Sequence, residues 1–295
     1  MSFFNKVNLF NKNNSVVNFL SLCLLSLVVV CLFIFLATYF YFSIGLPDLK
    51  DLTGYKPHLI NEIYSSDGTL IAEYGVEKRK LIDLEEIPDH VINAFIAIED
   101  KRFYDHSGLD IQGIIRALIQ NISEGQVVSG GSTITQQVTK NLILTPERTY
   151  TRKIKEAILS YRIEKNLTKN EILYLYLNHI YLADGTYGVE AASKNYFGKS
   201  VRNVNIAEAA LLAGIPKRPE RYSPRRNFQN SKQRQITVLK IMEEEKFITA
   251  KQKKAAEDFK IIIKPKNNIE SHISPYFAEF VRKYLENKVG TEEYK

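Results

Sequence analysis

Residues 88–108 read PDHVINAFIAIEDKRFYDHSG, and the first half of that string places Val91, Ile92, Ala94, Phe95 and Ile98 at helical spacing. Pro88 fits a first-turn position, where its missing N–H costs nothing. The pattern predicts a helix over 90–100 that closes on a carboxylate pair, Glu99-Asp100. A carboxylate at that end meets the negative pole of the helix dipole, and Phe95 and Phe103 would strip water from it. Such a group makes a good base. A solvated carboxylate at a helix end explains Glu99 as well when it is taken alone. The adjoining residues, Lys101 to Gly108, pack charge, aromatic rings and His106 into one turn-rich stretch.

Downstream, Gly130-Gly131-Ser132-Thr133-Ile134-Thr135-Gln136-Gln137 reads as a glycine pair leading into a helix N-terminus. Free amides and the helix dipole there favour an anion, with phosphate the natural candidate. A glycine turn closed by a capping box, Thr133 with Gln136, accounts for the same string without a ligand. Lys140 comes four and three positions after Gln136 and Gln137 and so shares their face. From Lys140 to Lys169 the chain carries eight basic and three acidic residues, an excess of +5. Most such runs are solvated helix faces. Here Arg152 and Glu156, at i and i+4, would set a second carboxylate among cations, and the arginine fork suits phosphate oxygens.

Helices dominate the rest. Capping boxes are also expected at Thr168 with Glu171, which gives Glu171 a structural role, and at Asn205 with Glu208. The second opens a compact helix over 206–213, with Gly214 and Pro216 as its stop. Tyr150 to Lys165 reads as a further helix. Leu109 to Val128 carries a stripe of Ile111, Ile114, Ile115, Leu118, Ile119 and Ile122. Ile60 to Ile82 alternates around Ser66-Asp67-Gly68 and predicts a small hairpin.

Upstream, no charge occurs between Asn13 and Pro47, and Val16 to Phe42 is almost wholly apolar, longer than the ~20 residues that cross a bilayer. A cleaved leader would have a shorter apolar core and a small-residue cleavage site. Lys6 and Lys12 precede the segment with no acidic residue before Asp48, so the positive-inside rule puts the N-terminus in the cytoplasm and the rest outside. Both cysteines, Cys23 and Cys31, lie within the span, which removes disulfides and cysteine metal sites from the external part. With 45 % hydrophobic residues the chain has material for a core, and its net charge of +7 falls only to +5 without the two leading lysines. A basic external face suits anionic lipid or a phosphate-bearing substrate; the location sets nucleic acid aside.

In this order, these motifs resemble the family 51 peptidoglycan glycosyltransferases, found in class A penicillin-binding proteins such as the 1A type and in monofunctional enzymes. The match runs from the apolar helix to about Pro224 and rests on Glu99-Asp100 with Phe103, His106 and Gly108; Gly131 to Gln137; Arg152-Lys153 with Glu156; Glu171 through Asn178 to Gly185 and Gly188; and Ala209 to Pro216 with Pro219. The fold it implies is mainly α, a lysozyme-like glycosyltransferase domain with a small β-hairpin, preceded by one transmembrane helix. The apolar stretch after Leu109 would then be a mobile region that admits a lipid-linked substrate, with core packing as the plainer account of its stripe.

Further implications are residue by residue. Glu99 would be the base on the acceptor 4-hydroxyl, with Glu156 near the pyrophosphate and a divalent cation, Mg2+ or Mn2+. Lys140, Arg148, Arg152 and Lys153 would hold phosphates, joined by Ser132, Thr133, Gln136 and Gln137, while Asp100, Phe103, His106 and Asn178 would support the site. An α-linked donor and a β-1,4 product need one inversion and one base. The partners implied are lipid II, the growing glycan strand, the membrane and cell-wall synthesis proteins, with the catalytic part on the outer face of the cytoplasmic membrane.

The expected segments are a cytoplasmic N-terminus (1–15), an anchor (16–44), a juxtamembrane hairpin segment (45–84), the glycosyltransferase domain (85–225), a helical extension (226–260) and a linker-like tail (261–295). Neither Ser-x-x-Lys nor Lys-Thr-Gly occurs, so no transpeptidase activity is expected of these residues, and the tail resembles a linker into such a domain. Two other classes compete: a lysozyme-like glycan hydrolase sharing the fold, and a non-catalytic membrane-anchored scaffold.

Overall fold

A computed structural model of the chain describes residues 3–46, 61–68, 70–74, 78–125, 130–144, 147, 149–265 and 275–289. Helix α1, Phe3–Ser43, contains in Val17–Ser43 a stretch long and apolar enough to cross a membrane, and none of that stretch is buried against the protein. The expected hairpin is present: β1 (Asn61–Tyr64) pairs antiparallel with β2 (Leu70–Tyr74) across a turn in which Gly68 N–H donates to the Ser65 carbonyl. Of that expectation, Ile60, Thr69 and residues 75–77 lie outside the described residues.

The domain proper is mainly α. Helix α2 (Asp89–Glu99) begins one residue earlier than the spacing predicts, with Pro88 at its N-cap. It buries Val91, Ala94, Phe95, Ile96 and Ala97. Beyond it come α3 (Ile111–Ser123), α4 (Ile134–Leu142), α5 (Tyr150–Asn166), α6 (Lys169–His179), α7 (Val189–Phe197), α8 (Ile206–Gly214), the short α9 (Pro219–Tyr222), α10 (Phe228–Glu244), α11 (Ala250–Asp258) and α12 (Pro275–Val289). Capping boxes at Thr133, Thr168 and Asn205 start α4, α6 and α8 as expected, and a fourth at Thr249 starts α11.

Helix α8 is the centre of the core. Every residue from Ala207 to Gly214 is buried, between α2 and α10. Small side chains let three helices approach closely, and each large apolar group sealed between them contributes roughly 1.5–3 kcal/mol. The helix ends at Gly214, one residue later than the spacing predicts, with Ile215 as its C-cap in helical torsions rather than Gly214 in a left-handed one. Gly214 also serves packing, because a Cβ there would sit 2.9 Å from the Arg234 side chain.

A second layer stacks α4 on α5 and α6. The Phe95 and Tyr176 rings, 6.1 Å apart and nearly perpendicular, join it to α2. The segment leading in from the hairpin is tied down from β3 (Lys78–Arg79), which pairs in parallel with β4 (Thr186–Tyr187). Arg79 donates to His179 Nδ1 and stacks 5.3 Å from the Tyr187 ring centroid. Burial and that guanidinium lower His179 to about 3, so its ring is the neutral acceptor this bond requires.

Candidate active site

The two glycine-bearing motifs are stitched together by one carboxylate. Asp100, buried just past the end of α2, accepts the Ile134 backbone N–H at 2.9 Å and the His106 ring at 3.0 Å. Thr133 donates its hydroxyl to the Gly108 carbonyl at 2.7 Å while its oxygen caps α4. Gly108 has φ +91° and lies so close to α5 that a Cβ would fall 2.7 Å from the Ser160 carbonyl oxygen. Only glycine combines that torsion with that approach.

With its neighbour locked, Glu99 is aimed by α2 and held by Gln137, whose side-chain amide donates to it at 2.8 Å. Burial raises the Glu99 carboxyl above the usual range, while Gln137 and the positive charges of Arg234, Lys140 and Lys217 pull it back. Beneath it lies Tyr176, whose hydroxyl is pushed well above its ordinary value by burial and by Glu99 and Asp100. Glu99 is thus a half-buried carboxylate set between desolvation, which raises it, and the Gln137 amide and nearby cations, which lower it.

The cations form a second group. Helix α5, capped by Thr149, presents Arg152 and Lys153 to Glu156: Arg152 donates to Glu156 at 2.8 Å, Lys153 donates to its other oxygen, and Lys153 also donates to Ser132 Oγ at 2.9 Å. Lys140, exposed on α4, is lowered by partial burial and by Arg152 and Lys153, and raised by Glu156 and Glu99. It therefore feels both carboxylates, Glu99 and Glu156. Fixed positive charges in a partly dry cleft can stabilise a departing diphosphate.

The structure sorts the sequence-predicted residues. Glu99, Gln137, Lys140, Ser132, Arg152, Lys153 and Glu156 come together. Thr133 and Gln136 are consumed by the capping box, each side chain bonded to the other's backbone. Phe103 is buried under the Lys169 ammonium, 4.4 Å from the ring centroid, and His106 braces Asp100. Asn178 is elsewhere: it bonds both backbone groups of Ile82 and so pins the segment entering α2. Arg148 lies outside the described residues. Lys217 and Arg234 were missed, because no local motif signals that two cations far along the chain return to Glu99.

A resident divalent cation does not fit these residues. Glu156 offers one carboxylate whose two oxygens are already met by Arg152 and Lys153, and among the described residues no group of three His, Cys, Asp or Glu side chains converges. Hard cations ask for several oxygen ligands at once.

Fold and site define a helical domain on an apolar helix, in which one tuned carboxylate faces a cluster of cations. Residues 67–243 match the Transglycosylase family, and the chain belongs to it. It is 46 % identical to penicillin-binding protein 1A of Aquifex aeolicus over 251 residues, 85 % of this chain and 34 % of that protein. The penicillin-binding protein 1A of Rickettsia bellii is 43 % identical over 257 residues, 86 % of this chain and 32 % of its own length. The crystal structure of penicillin-binding protein 1A from Haemophilus influenzae is similar with a TM-score of 0.48 and 25 % identity, over 81 % of this chain and 26 % of that one. The chain spans about a third of the length of the relatives it matches.

Proposed function

We propose that this chain is a peptidoglycan glycosyltransferase, which polymerises lipid II into β-1,4-linked glycan strands with inversion and release of undecaprenyl pyrophosphate. The observation that carries the reading is that Lys140 interacts electrostatically both with Glu99, the proposed base, and with the Arg152–Lys153–Glu156 cluster. Glu99 takes the proton from the acceptor 4-hydroxyl as that oxygen attacks the anomeric carbon of the donor. Lys140, Arg152 and Lys153 hold the diphosphate as it leaves, and each well-placed donor of this kind is worth about 10²–10³ in rate. Gln137 orients the base. Glu156 keeps the Arg152 and Lys153 side chains in place.

In this reading Val17–Ser43 anchors the chain in the cytoplasmic membrane, N-terminus inside, with the cleft on the outer side where the lipid-linked donor is presented. Other cell-wall synthesis proteins are natural neighbours for it there. The test is incubation of the purified chain in detergent with lipid-linked disaccharide. Strand growth that disappears in Glu99→Gln and weakens in Glu156→Gln supports the proposal. Shortening of preformed strands instead would replace it with a hydrolase.

A further inference from the structure

The last turns of α1 pack against α5. There Arg162 donates to the Tyr39 hydroxyl, and the Lys165 ammonium lies 4.7 Å from the Tyr161 ring centroid. Thr38, Tyr39, Phe42 and Ser43 are half-buried at this contact, whereas the described residues of the span before them are exposed.

The length of the span fixes the depth of that contact. Val17–Ser43 has 27 residues, about 40 Å of helix at 1.5 Å each. A bilayer's hydrocarbon core takes about 30 Å of it, and the two headgroup layers take the rest. Tyr39 stands about 6 Å before the end of the span and so falls within a headgroup layer. Tyr39-Phe40-Tyr41-Phe42 is the kind of aromatic belt that settles at that depth. Arg162, held to Tyr39, and Lys165, one turn further along α5, are therefore carried to the level of the lipid phosphates.

Neither cation is neutralised on its own helix. The two carboxylates of α5 are engaged elsewhere, Glu156 by Arg152 and Lys153 and Glu164 by Lys169. A guanidinium has five N–H donors, of which a single hydroxyl can take only part, and its fork suits phosphate oxygens. Arg152 lies about 15 Å back along the helix, so the pair is separate from the cluster around Glu156.

We propose that Arg162 and Lys165, beside Tyr39 and Tyr161, bind the headgroup of an anionic phospholipid of the surrounding bilayer, and that this contact sets the height at which α5 holds Arg152 and Lys153 over the membrane. The proposal rests on Val17–Ser43 crossing the bilayer. The occupant is a bulk phospholipid, because the pair lies against the anchor, where bilayer lipid is always at hand, and two cations favour a net negative headgroup over a zwitterionic one.

The full chain is inserted into nanodiscs of phosphatidylcholine with phosphatidylglycerol, without lipid-linked disaccharide, and the phospholipid it retains on transfer to detergent is counted by mass spectrometry. Wild type is expected to retain phosphatidylglycerol in excess of its share of the disc. Arg162→Gln and Lys165→Gln each lower that excess by about fivefold and together by about thirtyfold, with melting in detergent unchanged. Lys251→Gln with Lys254→Gln, the same loss of charge on exposed positions of α11, leaves it unchanged. Equal retention of the two lipids by wild type, or an equal loss in the α11 variant, overturns the proposal. A chain that does not enter the discs refutes the anchor instead. Strand growth in detergent is read separately and is expected to survive both α5 substitutions.

Discussion

Asp100 accepts the backbone N–H of Ile134 at 2.9 Å, a bond across 34 positions that fastens the turn after the base to the first residue of α4. The same carboxylate takes the His106 ring, and all three groups are shielded from water. Asp100→Ala would leave a buried amide and a buried imidazole unpaired, at about 1–3 kcal/mol each. The expected loss of about 3 kcal/mol lowers the melting temperature by roughly 6–12 °C. Asp100→Asn, which keeps an acceptor, loses less. Equal melting of the alanine variant and wild type would show that the stitch is unimportant.

In the proposed mechanism the pH dependence originates in Glu99. A base must be ionised, and burial raises this carboxyl above 4.5, so the acid limb of the rate profile lies above that of an ordinary glutamate. Lys217→Met removes one of the charges that favour the ionised form and moves the limb further up. Stability has the opposite sense. A group with a raised folded value contributes stability below its unfolded value and loses it as pH rises through the folded one. Glu99→Gln is therefore expected to melt above wild type at neutral pH, with the gap closing below pH 4.5. Calorimetry at two pH values checks the sign.

Chelation separates a resident cation from one that arrives with substrate. Because Glu156 is satisfied by Arg152 and Lys153, no folding energy depends on a metal here. EDTA is expected to leave the melting temperature of the substrate-free chain within about 1 °C, against the larger shifts of metal-dependent folds. A fall of several degrees, restored by Mg2+, would reveal a cage that these residues do not form.

The parts legible in the sequence were those whose cause is local. The three capping boxes, the end of α2 at Glu99, the Arg152–Glu156 pair and the apolar span each depend on residues within a few positions of one another. What escaped depends on return of the chain. Arg234 comes back to Glu99 on α10, and β3 finds β4 more than a hundred residues on. Gly214 marks the end of its helix as its position implied, but its second use, the close approach of Arg234, depends on a residue twenty positions on. Thr133 and Gln136 carried a two-fold signal, ligand or cap, and the cap prevailed.

Lys169 offers the sharpest test of how the base is kept in place. Its ammonium donates to the His106 carbonyl at 2.7 Å and to Glu164 at 2.8 Å and lies over the Phe103 ring, while Glu164 accepts from Thr135 at 2.6 Å. One side chain thus ties the turn after Glu99 to α4, α5 and α6. Lys169→Met keeps the stem and removes the charge, leaving the nearly buried Glu164 carboxylate with a hydroxyl alone, at a cost of about 2–4 kcal/mol. Glu164→Gln in the same chain removes that stranded charge and is expected to restore about half of the loss. The double variant still lacks the bond to His106, so its kcat stays at the level of Lys169→Met although its melting temperature recovers by about half. Recovery of both together would mean that Lys169 only neutralises Glu164, and that the turn carrying the base is held by Asp100 and Thr133 without it.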